Sequence, residues 1–334
     1  MQQAERIGKY QIQKVLGKGA AGQVFCAKQD QIDRLVALKI LLPNVVESKP
    51  HFLERFFREA RLIARLNHPN IIALFEMGKI EVDGLPLHYY TMEFVEDAVT
   101  LQDALAAEKG KGMPLDRALD IIEQLLDALA LAHREGVIHR DLKPLNVLID
   151  KERVPKVLDF GVSKAYDDED LTVAGMIIGS PPYMSPEQAR AQKCTVKSDI
   201  FSFGVMCYEL FTGQRPLGGS TSRKDLILER QQYPKLPKDR MPKRIPQLVK
   251  GFPREIDRLV FAMLEGDPEK RPSAQRLREQ VANFREGERR RAIEDELARA
   301  GQIDLPVMRL LAWKLSVAAS LLIVAVGALA KWVR

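Results

Sequence analysis

Cysteine is scarce in this chain: three in 334 residues, Cys26, Cys194 and Cys207, far apart and in no C-x-x-C pair. That excludes a disulfide framework and a thiolate metal site, and makes reduced thiols in a cytosol-facing domain the simplest expectation. The N-terminus, Met1-Gln2-Gln3-Ala4-Glu5-Arg6, lacks the apolar core of a secretory signal. Charge of one sign is not dominant either. Fifty-one Lys and Arg stand against 45 Asp and Glu, a net charge of +6. So modest an excess reads as a solvated surface rather than a nucleic-acid face. What is present is an ordinary globular mix, 46% hydrophobic and 29% charged. The length suits one large two-lobed domain with an appendage.

The chemistry-bearing residues concentrate between His139 and Gly161. His139-Arg140-Asp141-Leu142-Lys143-Pro144-Leu145-Asn146 is followed by a short apolar run and then Asp159-Phe160-Gly161. One loop thus carries a carboxylate, a lysine and an amide, and a second carboxylate follows across a predicted hairpin. Such oxygen ligands suit Mg²⁺ better than a soft metal. An orienting base and metal ligands, with little covalent chemistry, are what phosphoryl transfer needs.

Upstream, Tyr10 to Leu16 alternates as a strand and runs into Gly17-Lys18-Gly19-Ala20-Ala21-Gly22-Gln23-Val24-Phe25. Glycines there let backbone N–H groups approach phosphate oxygens. A dinucleotide site uses the same spacing but opens a helix at this point. Here Gln23 to Ala27 and Leu35 to Leu41 read as further strands. Lys39, in Val36-Ala37-Leu38-Lys39, is either an edge residue or an inward charge that needs a partner. From Ser48 to Leu66, Phe52, Phe56, Ile63 and Leu66 recur at helical spacing, and Glu59 shares their face. Glu59 either pairs with Lys39 or bonds to Arg55 or Arg58. Pro69 ends that helix. Two strands, Ile71 to Met77 and Leu87 to Glu93, follow around a turn at Asp83-Gly84.

Helices dominate from Asp97 onward, which puts a lobe boundary near residues 95–100. Leu101 to Ala107 is a predicted short helix. Pro114 to His133 is amphipathic through Leu119, Ile122, Leu126 and Leu129, with Gly136 as its cap. Phe201 to Phe211 reads as a core helix ending at Gly213. Arg215 to Phe252, rich in proline and lysine, reads as loop and partner surface. Arg254 to Leu264 and Ser273 to Phe284 close the lobe.

At these motifs the chain resembles the eukaryotic-type (Hanks-type) serine/threonine protein kinases, and most of all the bacterial membrane-anchored ones. The resemblance covers most of the chain, with the motifs in order. It implies an α+β, two-lobed kinase fold with a small β-rich N-lobe and a larger helical C-lobe. The implied reaction is transfer of the ATP γ-phosphate to protein Ser or Thr hydroxyls, with Mg²⁺ as the cation and Mn²⁺ as a possible substitute. ATP would be held by Leu16, Gly17, Lys18, Gly19, Ala20, Ala21, Gly22, Gln23 and Val24. Ala37 would join Val24 about the adenine and Leu148 would floor the pocket. Backbone groups of Glu93 and Val95 would bond the adenine edge beyond a gatekeeper at Met92. In the family a Lys39–Glu59 pair would hold the α- and β-phosphates. Asp141 would accept or orient the substrate hydroxyl proton, Lys143 would neutralise the γ-phosphate, and Asn146 and Asp159 would hold the cation. Lys143, two residues after Asp141, favours Ser/Thr over Tyr as acceptor.

The resemblance also assigns structural and regulatory positions. His139 and Arg140 would brace the catalytic loop, Asp199 would bond back to it, and Glu187 would pair with Arg271. Ser163 to Gly179 is a long polar segment of the kind that regulates a site. Thr172, with Ser180, is a candidate phosphosite, and Arg140 would be the natural partner of a phosphothreonine. Two departures are slight: Ser180 stands where Thr is commoner and Ser185 where Ala is commoner. No essential polar residue is missing, which weighs against a nucleotide-binding scaffold without catalysis. A homodimer for trans-autophosphorylation is a possible partner state.

The expected organisation is a kinase domain over residues 10–285 (lobes 10–95 and 96–285), a charged linker over 286–309 and a transmembrane segment over 310–334. That segment has an unbroken apolar run from Leu315 to Ala330 flanked by Trp313, Lys314, Lys331 and Trp332. Aromatic belts and snorkelling lysines belong at such ends. With its flanks the segment reaches roughly the 20 residues that span hydrocarbon. Arg289-Arg290-Arg291 and Arg309 precede it, as expected for a cytoplasmic domain. The expectation is a tail anchor without an extracellular sensor, in a bacterial inner membrane by the family likeness.

Overall fold

The computed structural model describes residues 6–18, 22–30, 32–43, 52–82, 84–160, 180–217 and 222–299. The chain divides into two units, Met1–Val281 and Ala282–Arg334. The first begins with an antiparallel sheet of β1 (Arg6–Ile7), β2 (Tyr10–Lys18), β3 (Gly22–Gln29), β4 (Arg34–Leu41), β5 (Leu74–Val82) and β6 (Leu85–Glu93). The order across the sheet is β1-β2-β3-β4-β6-β5. Helix α1 (Phe52–Ile63) lies between β4 and β5 in the chain.

Period-two alternation on β4 sorts its side chains to two faces. Val36, Leu38 and Ile40 enter a core with Tyr10, Ala27 and Tyr89. Ala37 and Lys39 take the other face. The register puts Ala37 opposite Met92 and Cys26, and Lys39 opposite Tyr90 and Val24. Directly opposed residues share a face, so Val24, Ala37, Lys39, Tyr90 and Met92 form one surface. Gly22 at the start of β3 is required by sterics. A Cβ there would lie 2.2 Å from the Ile40 carbonyl oxygen, so any side chain would push β3 off β4.

The strand predicted over Ile71–Met77 starts only at Leu74. Ile71 is instead bridged to Val157, with the Ile72 N–H donating to Val157 O at 3.1 Å. Those residues are spent on pairing with a strand from the catalytic region.

The helical part comprises α2 (Leu101–Ala107), α3 (Leu115–Arg134), α4 (Pro186–Ala189), α5 (Val196–Thr212), α6 (Arg223–Gln232), α7 (Arg254–Met263) and α8 (Ala274–Arg299). A small sheet of β7 (Val99–Thr100), β8 (Val147–Ile149) and β9 (Pro155–Val157) sits among them in that order. Thr100 caps α2 and Asp103 reciprocates in a capping box. Helix α3 buries the predicted stripe, and Gly136 follows it with φ +74°, the left-handed geometry that ends helices cheaply. Helix α5 is buried on nearly every side. Its fully buried Phe201 and Phe203 each contribute about 1.5–3 kcal/mol by leaving water. Gly204 sits where a Cβ would lie 2.7 Å from Met263 Cβ, so α5 and α7 pack closely there.

The structure corrects one expectation outright. Within the stretch read as loop, Arg215 to Phe252, residues Arg223–Gln232 form a helix. Its inward residues are Leu226 and Arg230. A guanidinium turned to the interior, over the Phe201 ring at 5.7 Å, breaks the apolar period by which a helix is recognised.

Of the second unit, residues 282–299 are described and continue α8. This is the part read as exposed helix or linker, and it is helix through Arg299. Ile293 is largely exposed, and ion pairs one turn apart, Arg290–Glu286 and Arg291–Glu288, line the surface. Such pairs support a helix by a few tenths of a kcal/mol each, roughly 0.2–0.5. The predicted membrane segment, 310–334, lies outside the described residues. Among the described residues no helix is long and apolar enough to cross a membrane.

Candidate active site

The site is assembled on the loop between α3 and β8. His139 is fully buried, with its ring against that of Phe160 at 4.9 Å. Its Nε2 is 2.9 Å from Leu158 O, which can only accept, so Nε2 carries the proton. Nδ1 is then the acceptor for the Asp141 N–H at 3.3 Å. Burial holds the His139 pKa below the ordinary histidine range, in keeping with this neutral form.

Asp199, in the first turn of α5, grips the same loop from below. Its Oδ2 accepts the His139 N–H at 2.8 Å and its Oδ1 the Arg140 N–H at 2.8 Å. His133 Nε2 lies 2.9 Å from Oδ2. Burial raises the Asp199 pKa, but the hydrogen bonds and charge around it outweigh burial and leave the carboxyl below its usual range. Arg140 has φ +65°, a left-handed geometry that costs a non-glycine residue about 1–2 kcal/mol. Gln188 Nε2 donates to Arg140 O at 2.8 Å and completes the clamp.

Around Asp141 the predicted residues converge. Lys143 Nζ donates to Asp141 Oδ2 and to Ser180 Oγ, each at 2.7 Å. The Ser180 N–H donates to Asp141 Oδ1 at 3.3 Å. Asn146, in a single turn of 3₁₀ helix over Pro144–Asn146, donates from Nδ2 to Asp141 O at 2.8 Å. That bond turns its amide oxygen into the available cation ligand.

Across β8 and β9, Asp159 adopts φ +50°. Lys39 Nζ donates to its Oδ2 and the Tyr90 hydroxyl to its Oδ1, both at 2.9 Å. Burial opposes both charges of the Lys39–Asp159 pair. Their mutual attraction and hydrogen bonds prevail, lowering the Asp159 pKa and raising that of Lys39. Burial, with the Asp159 charge, raises the Tyr90 pKa well above its usual value, so the phenol stays protonated and donates.

Other assigned positions fall as follows. Glu93 donates its N–H to Ala73 O at 2.9 Å and takes Lys156 Nζ on its side chain at 2.9 Å. Val95 lies just beyond, on the way to α2. Leu148 is half-buried, on the face of β8 opposite its buried neighbours Val147 and Ile149. Leu16, Gly17 and Lys18 end β2, and Gly22, Gln23 and Val24 open β3. Arg271 meets Glu187 bidentately, at 2.7 and 2.9 Å, with both residues buried. Gly19, Ala20, Ala21, Gly161 and Thr172 lie outside the described residues, as does the Glu59 side chain and so the expected Lys39–Glu59 pair.

Sequence reasoning missed Tyr90, His133, Ser198 and Gln188. Tyr90 had a signal: it is two residues from Met92 on one strand and therefore on the same face. The others act through contacts 11–66 residues distant in the chain, which no local pattern shows.

A hard-oxygen pair, Asp159 and Asn146, a buried lysine and a glycine-edged strand pair fit a Mg²⁺-bound nucleoside triphosphate. Among the described residues no cluster of three His, Cys, Asp or Glu competes as a metal site. Fold and site together define a phosphotransferase cleft between a sheet and a helical lobe.

The protein kinase domain family model matches residues 10–281, and the chain belongs to that family. Its relatives include bacterial serine/threonine kinases of the Hanks type. It is 35% identical over 278 residues to the serine/threonine-protein kinase PksC of Streptomyces coelicolor, covering 82% of this chain and 48% of that protein. It is 34% identical over 283 residues to PknB of Mycobacterium tuberculosis, covering 84% and 43%. The chain thus spans less than half the length of these curated relatives. The crystal structure of the Mycobacterium tuberculosis PknI kinase domain matches in fold, with a TM-score of 0.63 at 22% identity over 85% of this chain and 99% of that one.

Proposed function

We propose that this chain is an ATP-dependent protein serine/threonine kinase, tied to a membrane by its C-terminal segment. The observations that carry the reading are the cluster of Asp141, Lys143, Asn146 and Ser180 and the Lys39–Asp159 pair. An incoming hydroxyl oxygen would bond to the γ-phosphorus as the bond to the bridging oxygen breaks. ADP leaves, and the hydroxyl proton goes to the Asp141 carboxylate. Lys143, already 2.7 Å from Asp141, supplies positive charge where negative charge develops. Lys39 binds the phosphates, and the face of Val24, Ala37 and Met92 with Leu148 takes the base. Mg²⁺, when bound to Asp159 and Asn146, neutralises the phosphate oxygens. The kinship with serine/threonine kinases and Lys143 support Ser or Thr as acceptor. Thr172 is the proposed autophosphorylation site, modified between two copies.

The test is phosphate incorporation from labelled Mg·ATP by the full chain in lipid, beside Lys39→Met and Asp141→Asn. Labelling that both substitutions abolish, mapped to Ser or Thr with Thr172 among the sites, is the expected result. Nucleotide binding without any phosphate transfer would reduce the chain to a scaffold. Membrane attachment rests on the apolar run Leu315–Ala330 between its Trp and Lys flanks. An alkaline carbonate wash that released intact protein from membranes would refute it.

A further inference from the structure

The phenol of Tyr90 is 2% exposed, on the interior side of the carboxylate assigned to the cation. The sheet register puts it directly opposite Lys39, whose Nζ also lies 5.5 Å from its ring centroid. Around it Ile63, Ile72, Leu74, Met92, Val157 and Phe160 line a small cavity that Tyr90 and Asp159 share. In such surroundings an apolar side chain would fill the space without the cost of burying a hydroxyl. The hydroxyl here meets a carboxylate oxygen, and in a dry setting that bond is strong.

We propose that Tyr90 is a positioning residue for the metal-binding carboxylate: its hydroxyl, donating to Asp159 Oδ1 at 2.9 Å, fixes the side chain in the orientation that receives the cation. This rests on the reading of Asp159 as a Mg²⁺ ligand. The backbone alone does not fix that orientation: φ +50° puts Asp159 in the left-handed region that aspartate enters more readily than most residues, but leaves its side-chain torsions to be set by what the carboxylate bonds. Two donors restrain the carboxylate, Lys39 on Oδ2 and Tyr90 on Oδ1. Their expected duties differ. Lys39 would be shared with the phosphates of a bound nucleotide. Tyr90 is buried within β6 and can hold Oδ1 while Lys39 serves the phosphates. Each carboxylate oxygen has two lone-pair directions, so Oδ1 can accept the phenol and still face a cation. Outer partners of this kind set metal affinity by about 10–100-fold.

Tyr89 provides the matched control. It is the neighbouring strand residue, also buried, and its hydroxyl donates to a different carboxylate, Glu76 Oε1, at 2.7 Å. The test uses the full chain in lipid as wild type, Tyr90→Phe and Tyr89→Phe. Binding of a fluorescent ATP analogue is titrated with Mg²⁺, then repeated in EDTA. In Tyr90→Phe the half-saturating Mg²⁺ concentration should rise at least about tenfold, with analogue binding in EDTA within twofold of wild type. Tyr89→Phe should keep the wild-type Mg²⁺ dependence. A Tyr90→Phe midpoint within twofold of wild type, or lower, overturns the proposal. So does an equal rise in Tyr89→Phe, which would mark a general loosening of the sheet. Wild type that binds the analogue with no response to Mg²⁺ would instead defeat the metal reading on which the proposal stands.

Discussion

Replacing Asp199 by Asn is a small change with a large expected effect. The carboxylate serves two backbone donors on opposite oxygens, Arg140 N–H on Oδ1 and His139 N–H on Oδ2, with His133 on Oδ2 as well. An asparagine has one acceptor oxygen, so in either orientation its NH₂ faces a buried backbone N–H. One charge-assisted bond, worth about 1.5–3 kcal/mol, is lost and a donor is left unpaired, for a total of about 2–4 kcal/mol. At about 2–4 °C per kcal/mol for a domain of this size, the melting temperature should fall by roughly 4–16 °C. Activity should fall further than stability explains. The left-handed Arg140 stores about 1–2 kcal/mol that Asp199 offsets. Once that hold is weakened, the competent loop should drop to about a tenth of the population and take kcat with it. The assay is labelled-phosphate transfer well below both melting points, beside Val205→Ala. Val205 is fully buried in the same helix, and its truncation should cost about 2 kcal/mol without touching the loop. Equal activity in the two variants would refute a positioning role for Asp199. A melting shift below about 2 °C would refute the hydrogen-bond accounting.

Removing one partner of the buried Glu187–Arg271 pair, as in Glu187→Gln, should cost about 3–5 kcal/mol by calorimetry. Burial raises the Glu187 pKa, but the bonds from Arg271 more than reverse this and it ends below its usual value. The stabilisation is therefore complete above the unfolded carboxylate pKa and is lost as pH falls through the folded one. Glu187→Gln should flatten the acid limb of the stability–pH curve relative to wild type. Gly22→Ala should lower stability by about 1–3 kcal/mol, since the new methyl meets the Ile40 carbonyl at 2.2 Å; a neutral result in chemical denaturation would show that β3 moves freely. Cys26 and Cys207 are buried with thiol pKa values raised by burial, while Cys194 is half-buried. A thiol reagent on the native protein should label Cys194 first, and early labelling of Cys207 would contradict the packing of α5.

Much of the fold was readable because the strands alternate and the long helices carry apolar stripes. β4 and α3 are plain examples. The catalytic loop was readable because polar residues crowd into a short stretch between apolar runs. Arg223–Gln232 was not, because Arg230 takes a place that an apolar side chain would have advertised. Tyr90 was passed over because a tyrosine on a buried strand ordinarily means packing. Only the register, placing it against Lys39 with Asp159 within hydrogen-bond reach, turns it into a polar group with a purpose. The Glu187–Arg271 pair, 84 residues apart, was accessible only through family resemblance.

The first turn of α5 explains how a loop under backbone strain can remain fixed. Three consecutive residues there reach three different parts of the lobe. Lys197 O accepts Arg271 Nη1 at 2.8 Å, and Lys197 Nζ donates to Arg271 O. Ser198 Oγ donates to Glu187 Oε1 at 2.8 Å. Asp199 takes the backbone of His139 and Arg140. Thr195 caps the turn by accepting the Lys197 N–H at 3.2 Å, so the turn itself is well formed. Behind it the helix is surrounded by core, and a tightly packed element yields little to side-chain forces. The strain at Arg140 is thus borne by a rigid, buried helix rather than by the loop itself. Geometry at Asp141 follows from packing at Phe201 and Phe203, and a core substitution that shifts α5 by a fraction of an ångström should reach the chemistry before it reaches the fold.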